Sequence, residues 1–114
     1  VVSPEDTEYV RRAYVEVKMS DEVLDYLLNI IEGTRQESNF ASGVSTRGAI
    51  ALYKAAQVTA AFRGREYVIP EDIKDMAPHV LLHRISNGNG LTSASAAKHL
   101  NQIIEQVKVP LEEL

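Results

Sequence analysis

The sequence predicts an all-α fold: a compact helical bundle of four to five helices with one short extended segment. Three observations predict it. Apolar residues recur at helical rather than alternating spacing nearly throughout. A capping residue, or a proline followed by acids, opens each of the periodic stretches. One stretch, "TRGAIALYKAAQVTAAF", is apolar almost all round, and such a helix belongs at the centre of a bundle. The 114 residues suit one domain, large enough to bury a core without disulfides or metal.

Each element follows in order. "SPEDTEYVRRAYVEV" opens on Ser3 with Pro4, Glu5 and Asp6 in its first turn, and its weak stripe predicts a surface helix. "SDEVLDYLLNIIEGTR" is a strong helix: Ser20 caps it, and Val23, Leu24, Leu27, Leu28, Ile30 and Ile31 form a wide apolar face. "QESNFASG" reads as a loop. The alanine-rich helix follows, with Ser45 or Thr46 as its cap. Gly64 is placed to end it, and "EYVI" is the extended segment. Pro70 starts the next helix, with Ile73, Met76, Ala77, Val80 and Leu81 as its buried stripe and a break expected at Pro78. "SNGNG" is a turn or flexible loop. Ser93 or Ser95 opens the last helix, which buries Ala97, Leu100, Ile103, Ile104 and Val107 and stops before Pro110.

Composition narrows the function. There are no cysteines, so a disulfide framework and a thiolate metal site are both excluded. The net charge of −4 argues against nonspecific nucleic-acid binding. No apolar run approaches the ~18 residues that suggest a membrane span. The chain starts at Val1, so the expectation is that it begins inside a longer protein. His79 and His83 stand four apart, a spacing that could place both on one metal, but no carboxylate partner accompanies them and they read as surface residues. Glu71, Asp72 and Asp75 read as helix-capping and solvated acids rather than catalytic ones. "RGR", Arg63 to Arg65, reads as a solvated basic patch, with a phosphate or partner contact as the sharper alternative. No glycine-rich loop followed by Lys and Ser/Thr exists, so the chain cannot cradle a nucleoside triphosphate by itself.

Arg47 stands out. A cation in the first turn of a helix is unfavourable by about 0.3–1 kcal/mol, because that end carries partial positive charge. The cost becomes a gain when an anion arrives from outside, since the guanidinium and the helix end both favour it and Arg binds phosphate with paired hydrogen bonds. Gly48, next in sequence, is expected to leave room for a ligand or another backbone.

Three boxes carry a family resemblance: Gly43-Val44-Ser45-Thr46-Arg47, then Arg63 to Ile73, then His83-Arg84-Ile85. With the upstream "SDEVLDYLLNIIEGTR" and the downstream "GLTSASAAKHLNQIIEQVKVP", they resemble the C-terminal lid of MoxR-type AAA+ ATPases over about Val17 to Pro110. The lid of the magnesium-chelatase ATPase subunit is related. Val44 and Thr46 stand where the family usually has Ala and Pro, and neither change touches the arginine.

The resemblance implies a single lid domain over 1–114, with 1–16 as linker or first helix and 17–110 as the lid core. It implies that Arg47 is the sensor-2 arginine, a catalytic residue that reaches the γ-phosphate of ATP held with magnesium on a preceding core domain. Arg47, Gly48 and Ile50 are then the cofactor-binding residues, and no metal site is implied. The isolated chain would be inactive, being a fragment of an ATP-hydrolysing enzyme without its Walker A and B motifs. Implied partners are its own core domain, neighbouring subunits of a hexameric ring and von Willebrand factor A-domain proteins, with no nucleic acid and no membrane. The implied setting is cytoplasmic, and the implied role is chaperone-like remodelling or assembly of client proteins. Two other readings come from the residues: a helical protein-interaction module with no nucleotide role, and a helix-turn-helix DNA binder, which the acidic charge disfavours.

Overall fold

The computed structural model describes residues 17–37, 40–87 and 92–110. The helix expected at Ser3 lies outside them. Helix α1 (Asp21–Gln36) begins where the Ser20 side chain accepts from the Val23 N–H at 3.3 Å, with Asp21 and Glu22 in the first turn. Its buried stripe is Val23, Tyr26, Leu27, Ile30, Ile31 and Thr34, spaced by three and four residues. Leu28, expected on that face, turns outward and is 46% exposed. Tyr26 takes the inward place, its ring filling the core.

The stretch expected as a loop contains a strand. β1 (Phe40–Ser42) pairs antiparallel with β2 (Ser86–Asn87), Phe40 opposite Asn87 and Ser42 opposite Ser86, with a bulge between. Ser86 and Asn87 of "SNGNG" are therefore strand rather than turn, while Gly88 to Gly90 lie outside the described residues. Strands this short carry no readable alternation, and the partners are separated in sequence by two helices. Phe40 is buried, and its ring meets His99 edge-on with centroids 6.3 Å apart.

Helix α2 (Thr46–Phe62) is capped by Ser45, whose hydroxyl accepts from the Gly48 N–H at 3.3 Å. It buries Gly48, Leu52, Ala56, Gln57 and Ala60, a stripe along one side. Burial on every side, as expected from its composition, is corrected: Ile50 is 51% and Phe62 75% exposed. Alanine dominates the apolar positions of this helix but offers little area to bury, so one covered side satisfies it. Gly64 ends the helix with φ 78°, as expected.

The segment "EYVI" is extended and ties in the entering chain. Lys18 bridges Tyr67 in parallel sense; its N–H donates to the Glu66 carbonyl at 2.9 Å, and the Val68 N–H donates to the Lys18 carbonyl at 2.8 Å. The buried Gln57 amide donates to the Val17 carbonyl at 2.9 Å.

Helix α3 (Pro70–Leu81) buries Asp72, Ile73, Ala77 and Leu81 and packs most extensively on α2. The break expected at Pro78 does not occur there. The helix runs on to Leu81 and tightens into a 3₁₀ turn at Leu82–Arg84. A proline at this position forfeits the bond to the Lys74 carbonyl; the fully buried Ala77 and Leu81 on either side keep the segment helical.

Helix α4 (Ser93–Gln106) is capped by Thr92 rather than by Ser93 or Ser95: its hydroxyl accepts from the Ser95 N–H at 3.1 Å. Ala96, Leu100, Ile103 and Ile104 face the core, and the expected Ala97 is only half-buried. The helix stops at Gln106, ahead of Pro110. All four helices contribute to one buried cluster. Among the described residues no helix is long and apolar enough to cross a membrane.

The Tyr26 hydroxyl is buried with no hydrogen-bond partner among the described residues. Burial first, and the Glu105 carboxylate second, raise this phenol above its ordinary value. An unfolded chain therefore releases the proton first, so the stability this group contributes is complete below the ordinary value of about 10 and is lost as pH rises past it. An orphaned hydroxyl in a core costs about 1–3 kcal/mol. Tyr26→Phe is accordingly expected to leave stability unchanged or raise it by up to about 1–2 kcal/mol in urea unfolding, and to flatten the alkaline limb of the stability profile. A loss above about 1 kcal/mol would show that the hydroxyl is bonded after all.

Candidate functional site

The amino-terminal end of α2 is built from the last turn of α1. Thr34 Oγ1 accepts from the Val44 N–H at 3.0 Å and donates to the Ile31 carbonyl at 2.6 Å. Arg35 Nε donates to the Val44 carbonyl at 2.9 Å. Two consecutive side chains thus grip both backbone groups of one residue. The approach is close enough to demand glycine just before it. A Cβ on Gly43 would lie 2.5 Å from Arg35 Cα and 2.7 Å from Thr34 O. Those atoms are backbone inside a helix and cannot yield. Gly43→Ala is expected to destabilise the fold by about 2–3 kcal/mol in urea unfolding, and a change under about 0.5 kcal/mol would contradict this packing.

With Val44 fixed and 1% exposed, Ser45 is held as the cap and α2 starts in one orientation. Arg47 follows in the first turn. It is exposed and makes no hydrogen bond or ion pair with the described residues. Ile50 stands three residues on, on the same side of the helix, and is half-exposed.

Gly48 departs from expectation. Its Cβ position lies 2.5 Å from Val44 Cγ1 and 3.2 Å from Arg84 Cδ, and the residue is buried. The open room predicted beside it is filled from within the chain: the glycine lets Val44 and the Arg84 stem pack against the helix.

The "RGR" patch is corrected too. Arg63 Nη1 donates to Asp72 Oδ1 and its Nη2 to Asp75 Oδ2, both at 2.9 Å. Arg65 grips Asp72 with two parallel bonds, Nη1 to Oδ2 at 2.9 Å and Nη2 to Oδ1 at 2.6 Å. The Ile69 N–H donates to Asp72 Oδ2 at 3.0 Å. Asp72 is fully buried, so its carboxylate receives four hydrogen bonds in place of water. The hydrogen bond to Asp75 is the main influence raising the Arg63 pKa; desolvation, next in size, opposes it, and the hydrogen bond and charge of Asp72 add to the rise. These arginines staple the end of α2 to the start of α3 and are not available to an outside phosphate.

The two histidines of α3 and its 3₁₀ turn play no visible part. His79 and His83 are exposed, and among the described residues no three His, Asp or Glu side chains are grouped to hold a metal. Lys74 and Glu105 form an exposed pair at 3.3 Å, worth little in water.

The set of residues is therefore uneven. Two paired arginines close a loop, while Arg47 stands exposed and, among the described residues, without a partner at the end that Thr34, Arg35 and Gly43 hold rigid. Residues 32–107, which span this whole arrangement, match the AAA lid domain family. The chain belongs to that family. It is the lid domain of a MoxR-type AAA+ ATPase. It is 36% identical to the uncharacterized protein YeaC of Bacillus subtilis, over 98% of the lid and 36% of that protein. It is 35% identical to the chaperone MoxR1 of Mycobacterium tuberculosis, over 55% of the lid and 19% of that protein. Its fold superposes on the crystal structure of a proposed ATPase from Cytophaga hutchinsonii with a TM-score of 0.83 and 29% identity, covering 94% of the lid and 36% of that chain. The lid thus spans about a third or less of the length of these relatives.

Proposed function

We propose that the lid contacts ATP bound on an adjoining core domain through Arg47, and that this contact couples ATP hydrolysis to movement of the lid. The carrying observation is the exposed guanidinium in the first turn of α2, unpaired among the described residues. Its local electrostatic cost has no internal compensation among the described residues, and a terminal phosphate would supply one. The residues present suit a contact rather than a container: one forked cation, but no phosphate-binding loop and no acids grouped for magnesium among the described residues. The bound nucleotide would supply the phosphoryl group to be transferred, and magnesium would be held by the core. Arg47 would offset charge on that group. Ile50 presents apolar surface beside it for the adjoining domain.

Because α1, α2 and α3 share one core, the lid would turn as a rigid body when Arg47 loses its partner. In a ring, that turn would be passed to the next subunit. The chaperone designation of the Mycobacterium tuberculosis relative supports remodelling of client proteins as the output.

Nucleotide affinity tests this reading. In the full-length protein, Arg47→Ala should weaken binding of a non-hydrolysable ATP analogue about ten-fold and leave ADP within about two-fold, as expected for loss of one charge-assisted contact. Unchanged affinity for the analogue would overturn it and favour an interaction module with no nucleotide role.

A further inference from the structure

We infer that Arg84 is a second nucleotide contact, placing its guanidinium on the terminal phosphate beside Arg47. The inference rests on the reading of Arg47 given above. Its own observation is the packing around Gly48. The stem of Arg84 lies against the first turn of α2, with Cδ 3.2 Å and Cβ 3.8 Å from the position a Gly48 Cβ would take. A side chain at Gly48 would drive out Val44 and crowd the Arg84 stem, so the glycine admits Arg84 to the side of the residue that follows Arg47.

The anchorage comes from α3. The fully buried Leu81 ends that helix and the buried Ile85 follows the 3₁₀ turn, which fixes Arg84 between two core residues. The head group has no such anchor. Arg84 is exposed and makes no hydrogen bond or ion pair with the described residues. Arg63 and Arg65, by contrast, spend their guanidiniums on Asp72 and Asp75, and Arg35 spends its Nε on Val44. The Arg84 stem thus lies on the turn that carries Arg47, and neither guanidinium has an internal counter-charge among the described residues. A dianionic terminal phosphate with three oxygens can accept from both forks at once.

The test uses the full-length protein, with ADP and a non-hydrolysable ATP analogue as probes, both in the presence of magnesium. Arg84→Met keeps an unbranched stem over Gly48 and removes the charge. Arg84→Lys keeps stem and charge but loses the fork. The expected result is that Arg84→Met binds the ATP analogue about ten-fold more weakly while ADP changes less than about two-fold, with Arg84→Lys in between. Equal weakening of both nucleotides would overturn the proposal, placing Arg84 on the core domain itself. Parental affinity in Arg84→Met, with affinity lost in Arg47→Ala, would also overturn it and leave the Arg47 reading standing. Parental affinity in both variants would bring down the two together. Circular dichroism checks each variant's fold; if Arg84→Met is not helical, Arg84→Lys decides, because parental affinity there would exclude paired hydrogen bonds from the fork.

Discussion

Arg47→Ala in the full-length protein is expected to lower kcat for ATP hydrolysis by about a hundred-fold, with the thermal midpoint unchanged. The magnitude follows from removing one preorganised donor aimed at developing charge, which costs about 10²–10³ in rate. A hundred-fold corresponds to about 2.7 kcal/mol of transition-state stabilisation. The stability prediction follows from the surroundings: Arg47 is exposed and holds nothing within the described residues, so its loss removes only a mildly unfavourable charge from the helix end. Arg47→Lys retains the charge without the fork and should fall between, about ten-fold down. Steady-state phosphate release measures both variants. Turnover within about two-fold of the parent in Arg47→Ala would remove the catalytic role.

Asp72→Ala carries the largest expected effect on stability, about 3 kcal/mol in urea unfolding. Deleting one member of a buried ion pair costs about 3–5 kcal/mol when the other is stranded. Here the lower end applies, because the Arg63 and Arg65 side chains are 42% and 20% exposed and can turn back to water. The Ile69 N–H also loses its acceptor at the start of α3. Asp72→Asn keeps the shape and some of the bonds, and should cost about half as much. The exposed Asp75, bonded to Arg63 alone, should matter little: Asp75→Ala is a control within about 1 kcal/mol. A loss under about 1 kcal/mol in Asp72→Ala would mean that the staple between α2 and α3 contributes nothing net.

Much of this architecture is legible in the sequence. Helices with strong local signals carry them at their ends: Ser20 before α1, Ser45 rather than Thr46 before α2, Pro70 at the first position of α3, Gly64 after α2. What escaped was decided by distant parts of the chain. The pairing of Phe40–Ser42 with Ser86–Asn87 has no local periodicity to announce it. The local penalty of Pro78 predicts a break, whereas Ala77 and Leu81 in the core carry the helix across it. The basic "RGR" reads as solvated because Glu66, the acid beside it, gives no sign of a buried partner. Its partner acids lie in the next helix, three residues apart on one face, and that spacing was the signal available.

The site divides in the same way. A cation in the first turn of a helix is a local anomaly that the sequence shows by itself, and Arg47 is exposed. The packing at Gly48 was not legible, since a glycine in sequence does not say whether the space it leaves is filled from outside or inside; Val44 and Arg84 fill it. The grip of Thr34 and Arg35 on Val44 was equally invisible, because it joins the end of one helix to the segment before the next.

The most direct measurement is a structure of the full-length protein with magnesium and a non-hydrolysable ATP analogue. The account predicts an Arg47 guanidinium nitrogen about 2.7–2.9 Å from an oxygen of the terminal phosphate, the distance of a charge-assisted hydrogen bond. A closed complex in which Arg47 faces solvent or a core-domain carboxylate, with no nitrogen within about 3.5 Å of any phosphate oxygen, would contradict it.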